Sequence, residues 1–263
     1  MATYAISDIH GHFDLFQKAL NIINFTGSDQ LYVIGDAIDK GPDGIKLLQY
    51  IKSQGNMDLL IGNHEWLMLE SINMRGLDKC TGPQRELWLF YNGGEDTFEE
   101  YKDLSKDERI ELLNWLRHRL LIKQVNVAGK EFILTHSNYL PRCVNKEYLD
   151  LKETDIWRIT WMSMFRFEPE VNIDNKYEQY KDLTFITGHV PVFKARWYKE
   201  APSDAEKTLL APFRVGNLIN IDGGAAMGPE MTYYNNGLII LRLDDMQSFE
   251  FGFKEFGSVT KDG

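Results

Sequence analysis

Three blocks in the opening quarter of the chain decide its reading: TYAISDIHG at residues 3–11, LYVIGDAIDKG at 31–41 and MDLLIGNHE at 57–65. Each opens as a short apolar run and breaks at Ser7, Gly35 or Gly62. Polar side chains follow at once: Asp8 and His10, then Asp36 and Asp39, then Asn63, His64 and Glu65. Short apolar runs bounded by such breakers read as buried strands. Between them, Phe13, Phe16, Leu20 and Ile23 recur at helical spacing across 13–25. Ile45, Leu48 and Ile51 do so across 44–53, with Pro42 as a start signal, and a third helix is expected over 65–73. Strand alternating with helix predicts an α/β fold with a largely parallel sheet. Ligands of such sheets gather beyond the C-terminal strand ends. Three consecutive ends carrying Asp, His and Asn therefore predict a site, because unpaired polar groups make a costly core.

Further along, Ser105 and Glu108 form a capping-box pattern opening a helix that runs to about Arg119. Leu121–Val127 and Glu131–Thr135, joined at Gly129-Lys130, read as a hairpin, and later strands are expected at 183–187, 214–221, 237–243 and 249–253. Two of these runs again end in histidine, at Thr135-His136-Ser137 and Thr187-Gly188-His189. The stretch 138–182 is polar and aromatic and has no clear periodicity. No repeat or linker interrupts the chain, so residues 1–263 read as one domain with variable segments near 70–90 and 138–182.

Bulk chemistry narrows the function. The 263 residues carry a formal charge of -10, which disfavours a nucleic-acid backbone as partner. A small phosphorylated ligand stays compatible, because bound cations reverse the local field. The two cysteines, Cys80 and Cys143, have no metal-type spacing and read as unpaired thiols. Arg85 follows Cys80 by five places, one short of the C-x5-R arrangement of a thiol phosphatase. The N-terminus runs directly into the first block without a basic or long apolar stretch, so neither a leader nor a membrane span is expected, and a cytoplasmic location follows.

Mixed imidazole, carboxylate and amide donors suit manganese, iron or zinc better than magnesium or calcium. A carboxylate can bridge two such ions about 3.5–4 Å apart, as in two-metal phosphatases and nucleases, which need no protein nucleophile.

Asp8-x-His10, Gly35-Asp36-x-x-Asp39 and Gly62-Asn63-His64-Glu65 resemble the signature blocks of the calcineurin-like metallophosphoesterases, most closely the phosphoprotein-phosphatase branch. That branch includes bacterial and phage serine/threonine phosphatases and symmetrical dinucleoside tetraphosphatases. Asn92-Gly93-Gly94-x-x-Thr97, His136, Gly188-His189 and Ile221-Asp222-Gly223-Gly224 extend the resemblance over roughly residues 3 to 243. It implies two mixed β-sheets packed as a sandwich with flanking helices. It also implies two divalent metals, manganese or iron foremost with zinc the alternative. Asp8, His10 and a bridging Asp36 would hold one; Asp36, Asn63, His136 and His189 would hold the other. His64 would protonate the leaving oxygen, oriented by Asp39.

The chain departs from that pattern in two places. Lys40 stands where the family carries arginine, a point charge in place of a bidentate fork. A second arginine, in a Trp-x-Arg pattern, aligns with Ser163 if Trp161 is the tryptophan, so that Arg158, Arg166 or no residue at all takes its place on the phosphate. His12 and His118 read as structural and solvated histidines, and Glu65 as a helix-start acid or a support for the ligands. Trp157, Trp161, Trp197 and Tyr198 read as core covering rather than as nucleobase platforms.

Three functions are therefore weighed. The first is hydrolysis of phosphate monoesters by metal-activated water, as a serine/threonine protein phosphatase. The second is hydrolysis of dinucleoside polyphosphates or related anhydrides, and the third a weakened phosphate-binding regulatory protein. The expected partners are a phosphorylated protein or a small phosphorylated molecule, with no nucleic acid and no membrane.

Overall fold

In the computed structural model, residues 1–72, 75–165, 181–199, 202–231 and 233–256 are described. The N-terminal blocks form three neighbouring parallel strands, β1 (Thr3–Ile6), β2 (Gln30–Ile34) and β3 (Met57–Leu60). Helices α1 (Phe13–Ile22) and α2 (Gly44–Ser53) cross between them, and α3 (Asn63–Ser71) leaves β3. The first ends earlier than its apolar pattern, because Asn24 turns left-handed at φ 54°. The third begins two residues before the expected start. Then come α4 (Glu95–Asp103) and α5 (Lys106–Arg117), the latter opened by its capping box: Glu108 Oε2 accepts from Ser105 N at 2.8 Å.

The second sheet is built from β4 (Ile122–Val127), β5 (Lys130–Thr135), β6 (Leu183–Thr187), β7 (Phe213–Val215) and β8 (Leu218–Asn220). The single strand expected at 214–221 is two, because the chain reverses at Gly216 with φ 58°. The unassigned stretch contains α6 (Glu153–Trp161), and α7 (Val192–Lys199) follows β6. Residues 166–180, with Arg166, lie outside the described residues. Finally β9 (Gly237–Arg242) and β10 (Gln247–Gly252) return to the first sheet.

Neither sheet is largely parallel. The first has the order β10-β9-β1-β2-β3 with β9 antiparallel to both its neighbours; the second, β4-β5-β6-β8-β7, is antiparallel at both edges. Hairpins at the edges need no crossover helix, so they close each sheet cheaply.

Strand side chains alternate between two apolar layers. Ala5, Ile34 and Leu60 from the first sheet meet Phe132, Leu134, Ile186 and Ile219 from the second, forming the layer between the sheets. Tyr4, Ile6, Val33 and Leu59 point the other way onto Phe16, Leu48 and Leu67 of the helices. Two mixed five-stranded sheets packed face to face with helices outside are thus one α/β domain. No helix among the described residues is long and apolar enough to cross a membrane.

Candidate active site

Loops leaving β1, β2, β3, β5 and β6 converge on one edge of the sandwich. The first is zipped to the second by Asp8 N to Gly35 O (3.1 Å), His10 N to Asp36 O (3.0 Å) and Gly11 N to Ala37 O (2.7 Å). Asp8, His10, Asp36, Asp39, Lys40 and His189 are all left-handed, with φ between 49° and 71°. Non-glycine residues adopt this region at a cost of about 1–3 kcal/mol each, and such strain collects at functional sites. Two glycines admit the close packing. A Cβ on Gly62 would lie 2.2 Å from Asp36 Oδ1, and one on Gly188 2.0 Å from Asp8 Oδ2.

Asp36 is the centre. Its Oδ2 lies 3.3 Å from His136 Nε2 and 3.9 Å from the Nε2 of both His10 and His64. His189 completes a second group, so Asp36 is common to His10–Asp36–His64 and Asp36–His136–His189, each with ligand atoms mutually within 4.8 Å. Asn63 Oδ1 stands 3.0 Å from both His136 Nε2 and His189 Nδ1. Asp8 lies at the other side, 3.9 Å from His10 Nε2, accepting from Ser7 Oγ and from His189 N (3.0 Å). All six residues expected to ligate metal are thus brought together, and all except the part-exposed His189 are buried.

The donor set fits cations. His10 donates Nδ1–H to Ile38 O (3.1 Å), since a carbonyl only accepts, and burial beside His64 lowers its pKa to about 3. The neutral ring therefore turns an Nε2 lone pair towards the Asp8 and Asp36 oxygens. Burial, with His136 adjoining, likewise lowers His189 to about 3. Against the cost of burial, Asp36 draws a proton onto His136 and raises its pKa to about 10. His136 Nδ1 donates to Ile34 O (2.9 Å), so that proton sits on Nε2, where a metal ion would displace it. Burial also raises Asp8 well above the carboxylate range, with Asp222 adding to it, and lifts Asp222 to about 7. Acceptors turned on one another and carboxylates short of counter-charge are what a pair of divalent cations satisfies.

A second network supports His64. Its Nδ1 donates to Asp39 Oδ2 at 2.6 Å, and the indole Nε1–H of the fully buried Trp88 donates to the same oxygen at 2.9 Å. Despite its burial, His64 is held above the usual imidazole range by Asp36 and Asp39. The Gly93-Gly94-x-x-Thr97 block builds this arrangement. A Cβ on Gly94 would strike the Trp88 ring at 2.4 Å, and one on Gly93 would press Lys40 Cδ at 3.0 Å. Thr97 Oγ1 accepts from Asp39 N (3.1 Å). Glu65, wholly buried, is both helix-start acid and support: it accepts from Asp36 N, Ala37 N and Gly62 N at 2.8–2.9 Å. Trp88 and Asp222 were not singled out as site residues from sequence. The ring beside Gly93-Gly94 and the Asp222 of the Ile221–Gly224 block were the available signals.

On the substrate side, Lys40 lies at the rim with Asp39 and Asp36 acting on its ammonium. Arg158 is exposed on α6, where its charge acts on Asp155. Ser163 is buried and its hydroxyl accepts from Phe165 N (3.1 Å). The core-covering role expected of the aromatics fails for three of them, because Trp157, Trp197 and Tyr198 are 47%, 50% and 44% exposed. His12 is structural, its Nε2 donating to Ala225 O (3.0 Å), and His118 is exposed and pairs with Glu147 at 2.7 Å.

Fold and site together define a metallophosphoesterase scaffold. The chain belongs to the calcineurin-like phosphoesterase family, whose model matches residues 1–216. The symmetrical bis(5'-nucleosyl)-tetraphosphatase of Delftia acidovorans is 32% identical over 154 residues, covering 57% of this chain and 49% of that protein. The chain thus spans about half the length of the curated relatives it matches. A metallophosphoesterase from Sphaerobacter thermophilus shares the fold with a TM-score of 0.52 at 16% identity, over 97% of this chain and 90% of that one. The cold-active protein-tyrosine phosphatase of a Shewanella species does so with a TM-score of 0.52 at 15% identity, over 95% and 80%.

Proposed function

We propose that the protein is a metal-dependent hydrolase of phosphoric esters and anhydrides whose substrates are dinucleoside polyphosphates. The observation that carries the chemistry is the Asp36 carboxylate, ringed by four imidazoles with Asp8 and Asn63 on either side. The substrate class is supported by relatives named as symmetrical bis(5'-nucleosyl)-tetraphosphatases. That places the anhydride reading ahead of the phosphoprotein reading that came first from sequence.

Asp8, His10 and Asp36 would hold one cation, and Asp36, Asn63, His136 and His189 the other, manganese and iron suiting this donor set. When bound, such a pair neutralises phosphoryl oxygens and acidifies a water. The chain's own groups do the rest. Glu65 fixes the Asp36 and Gly62 loops, so the ligands are set before substrate arrives. Asp39, itself held by Trp88, fixes the His64 ring through Nδ1–H, and the neighbouring carboxylates favour the imidazolium, whose Nε2–H is turned towards the cluster, ready for the departing oxygen. Lys40 adds a positive charge at the rim without the fork of an arginine. Residues 138–165, the described part of the variable segment, would shape the substrate side.

The test is chelated protein with manganese, iron, zinc or magnesium added back, offered diadenosine tetraphosphate, phosphoserine and phosphothreonine peptides, and p-nitrophenyl phosphate. The expected result is metal-dependent release of nucleoside diphosphate. Peptide turnover with the dinucleotide untouched would restore the protein-phosphatase reading. Inertness towards every substrate with two metals bound would favour a regulatory phosphate-binding protein.

A further inference from the structure

An aromatic cleft adjoins the cluster and shares His189 with it. Its volume is about 340 Å³, and Trp157, Trp161, Pro191, Lys194 and Tyr198 line it together with His189. That volume falls within the range of about 300–1,000 Å³ usual for small-ligand sites. Spacing explains how it is built. Trp157 and Trp161 are four residues apart on α6, and Lys194 and Tyr198 four apart on α7, so each pair shares a helix face. One wall is continuous with the cluster: the Trp161 ring meets the His189 ring edge-on at 6.0 Å, and the Trp161 carbonyl accepts from that imidazole. A ligand in the cleft is therefore one side chain away from the phosphoryl site. Lys194 is one of the residues lining the cleft, and its charge acts on the buried Asp222 of the cluster.

Trp157 and Tyr198 are nearly half exposed, an apolar surface that folding alone does not explain. Flat aromatic walls accept a planar ring by stacking, and an ammonium beside them suits the phosphate chain attached to such a ring. We infer that this cleft is the seat of one nucleobase of the substrate, with Trp157 and Tyr198 as the specificity-determining residues and Lys194 contacting the phosphate chain. The assignment rests on the nucleotide reading of the metal site.

The experiment compares kcat/KM for diadenosine tetraphosphate with that for tripolyphosphate, an anhydride chain without bases, in manganese-loaded full-length protein. In Trp157→Ala and Tyr198→Ala the ratio of the two falls about 10- to 100-fold, the factor carried by one base–aromatic stack, chiefly through KM for the dinucleotide. Trp157→Phe, which keeps a ring, retains most of the ratio. Thermal unfolding of each variant reports whether the fold persists. An unchanged ratio in both alanine variants, with the wild type hydrolysing the dinucleotide, overturns the subsite while leaving the function intact. A wild type that ignores the dinucleotide but cleaves phosphopeptides overturns the substrate reading itself, and the subsite with it.

Discussion

Glu65→Gln tests what holds the site together before any metal binds. Glu65 Oε2 accepts from Asp36 N and Gly62 N, both at 2.9 Å, and Oε1 accepts from Ala37 N at 2.8 Å. Glutamine has the same shape but only one acceptor oxygen. Its best orientation keeps two N–H groups on that oxygen and turns the amide NH2 towards Ala37 N–H, donor against donor. One unsatisfied buried donor costs about 1–3 kcal/mol, and turning two charge-assisted bonds into neutral ones costs about 0.5–1 kcal/mol each. Relief of the repulsion between Glu65 and Asp36 offsets part of this. The net loss is about 2–4 kcal/mol, and the melting temperature falls by about 5–15 °C for a chain of this size. Urea unfolding of the chelated protein reads the first, and scanning calorimetry the second. Elemental analysis after manganese loading then reports lowered occupancy, since the Asp36 and Gly62 loops have lost their common anchor. Stability within about 0.5 kcal/mol of wild type together with full metal content would refute the reasoning.

Other consequences follow from the same geometry. Trp88→Phe removes the indole donor from Asp39 but keeps a ring, so kcat falls about 5- to 20-fold with metal content unchanged; elemental analysis and steady-state kinetics on one preparation separate these effects. Gly188→Ala places a methyl 2.0 Å from Asp8 Oδ2 and 1.8 Å from Ser7 Oγ, and is expected to lose bound metal. Gly27→Ala, with nothing within 4 Å, serves as its control and keeps full occupancy. Asp36→Asn weakens the ligand common to both groups and loses both ions, whereas His64→Ala retains metal and loses about 100-fold or more in kcat. A His64→Ala protein that binds no metal would make that imidazole a ligand, as its place beside His10 and Asp36 permits.

Much of the site was legible because its chemistry is local. Asp8, Asp36, Asn63, His136 and His189 each follow an apolar run within a few residues, and the glycine or polar residue that stops such a run marks where the strand ends. The resemblance carried the two-sheet architecture, which periodicity alone left as a largely parallel α/β fold. Edge pairing is set by segments far apart in the chain: β9 lies against β1 with Leu241 opposite Ala5, and no local pattern encodes that. Trp88 illustrates the same limit, because its partner Asp39 is 49 residues away. Whether an aromatic side chain covers a core or lines a cleft depends on what the other elements leave open. Trp157 of α6 and Tyr198 of α7 line one cleft, and only packing decides its width. The sequence by itself determined which atoms can bind metal and which strand ends carry them. The tertiary structure decided that Asp36 stands at their centre, that Glu65 holds the loops and Trp88 with Asp39 holds His64, and that an aromatic cleft opens beside His189. Those outcomes are sums over contacts distant in sequence, which no window along the chain contains.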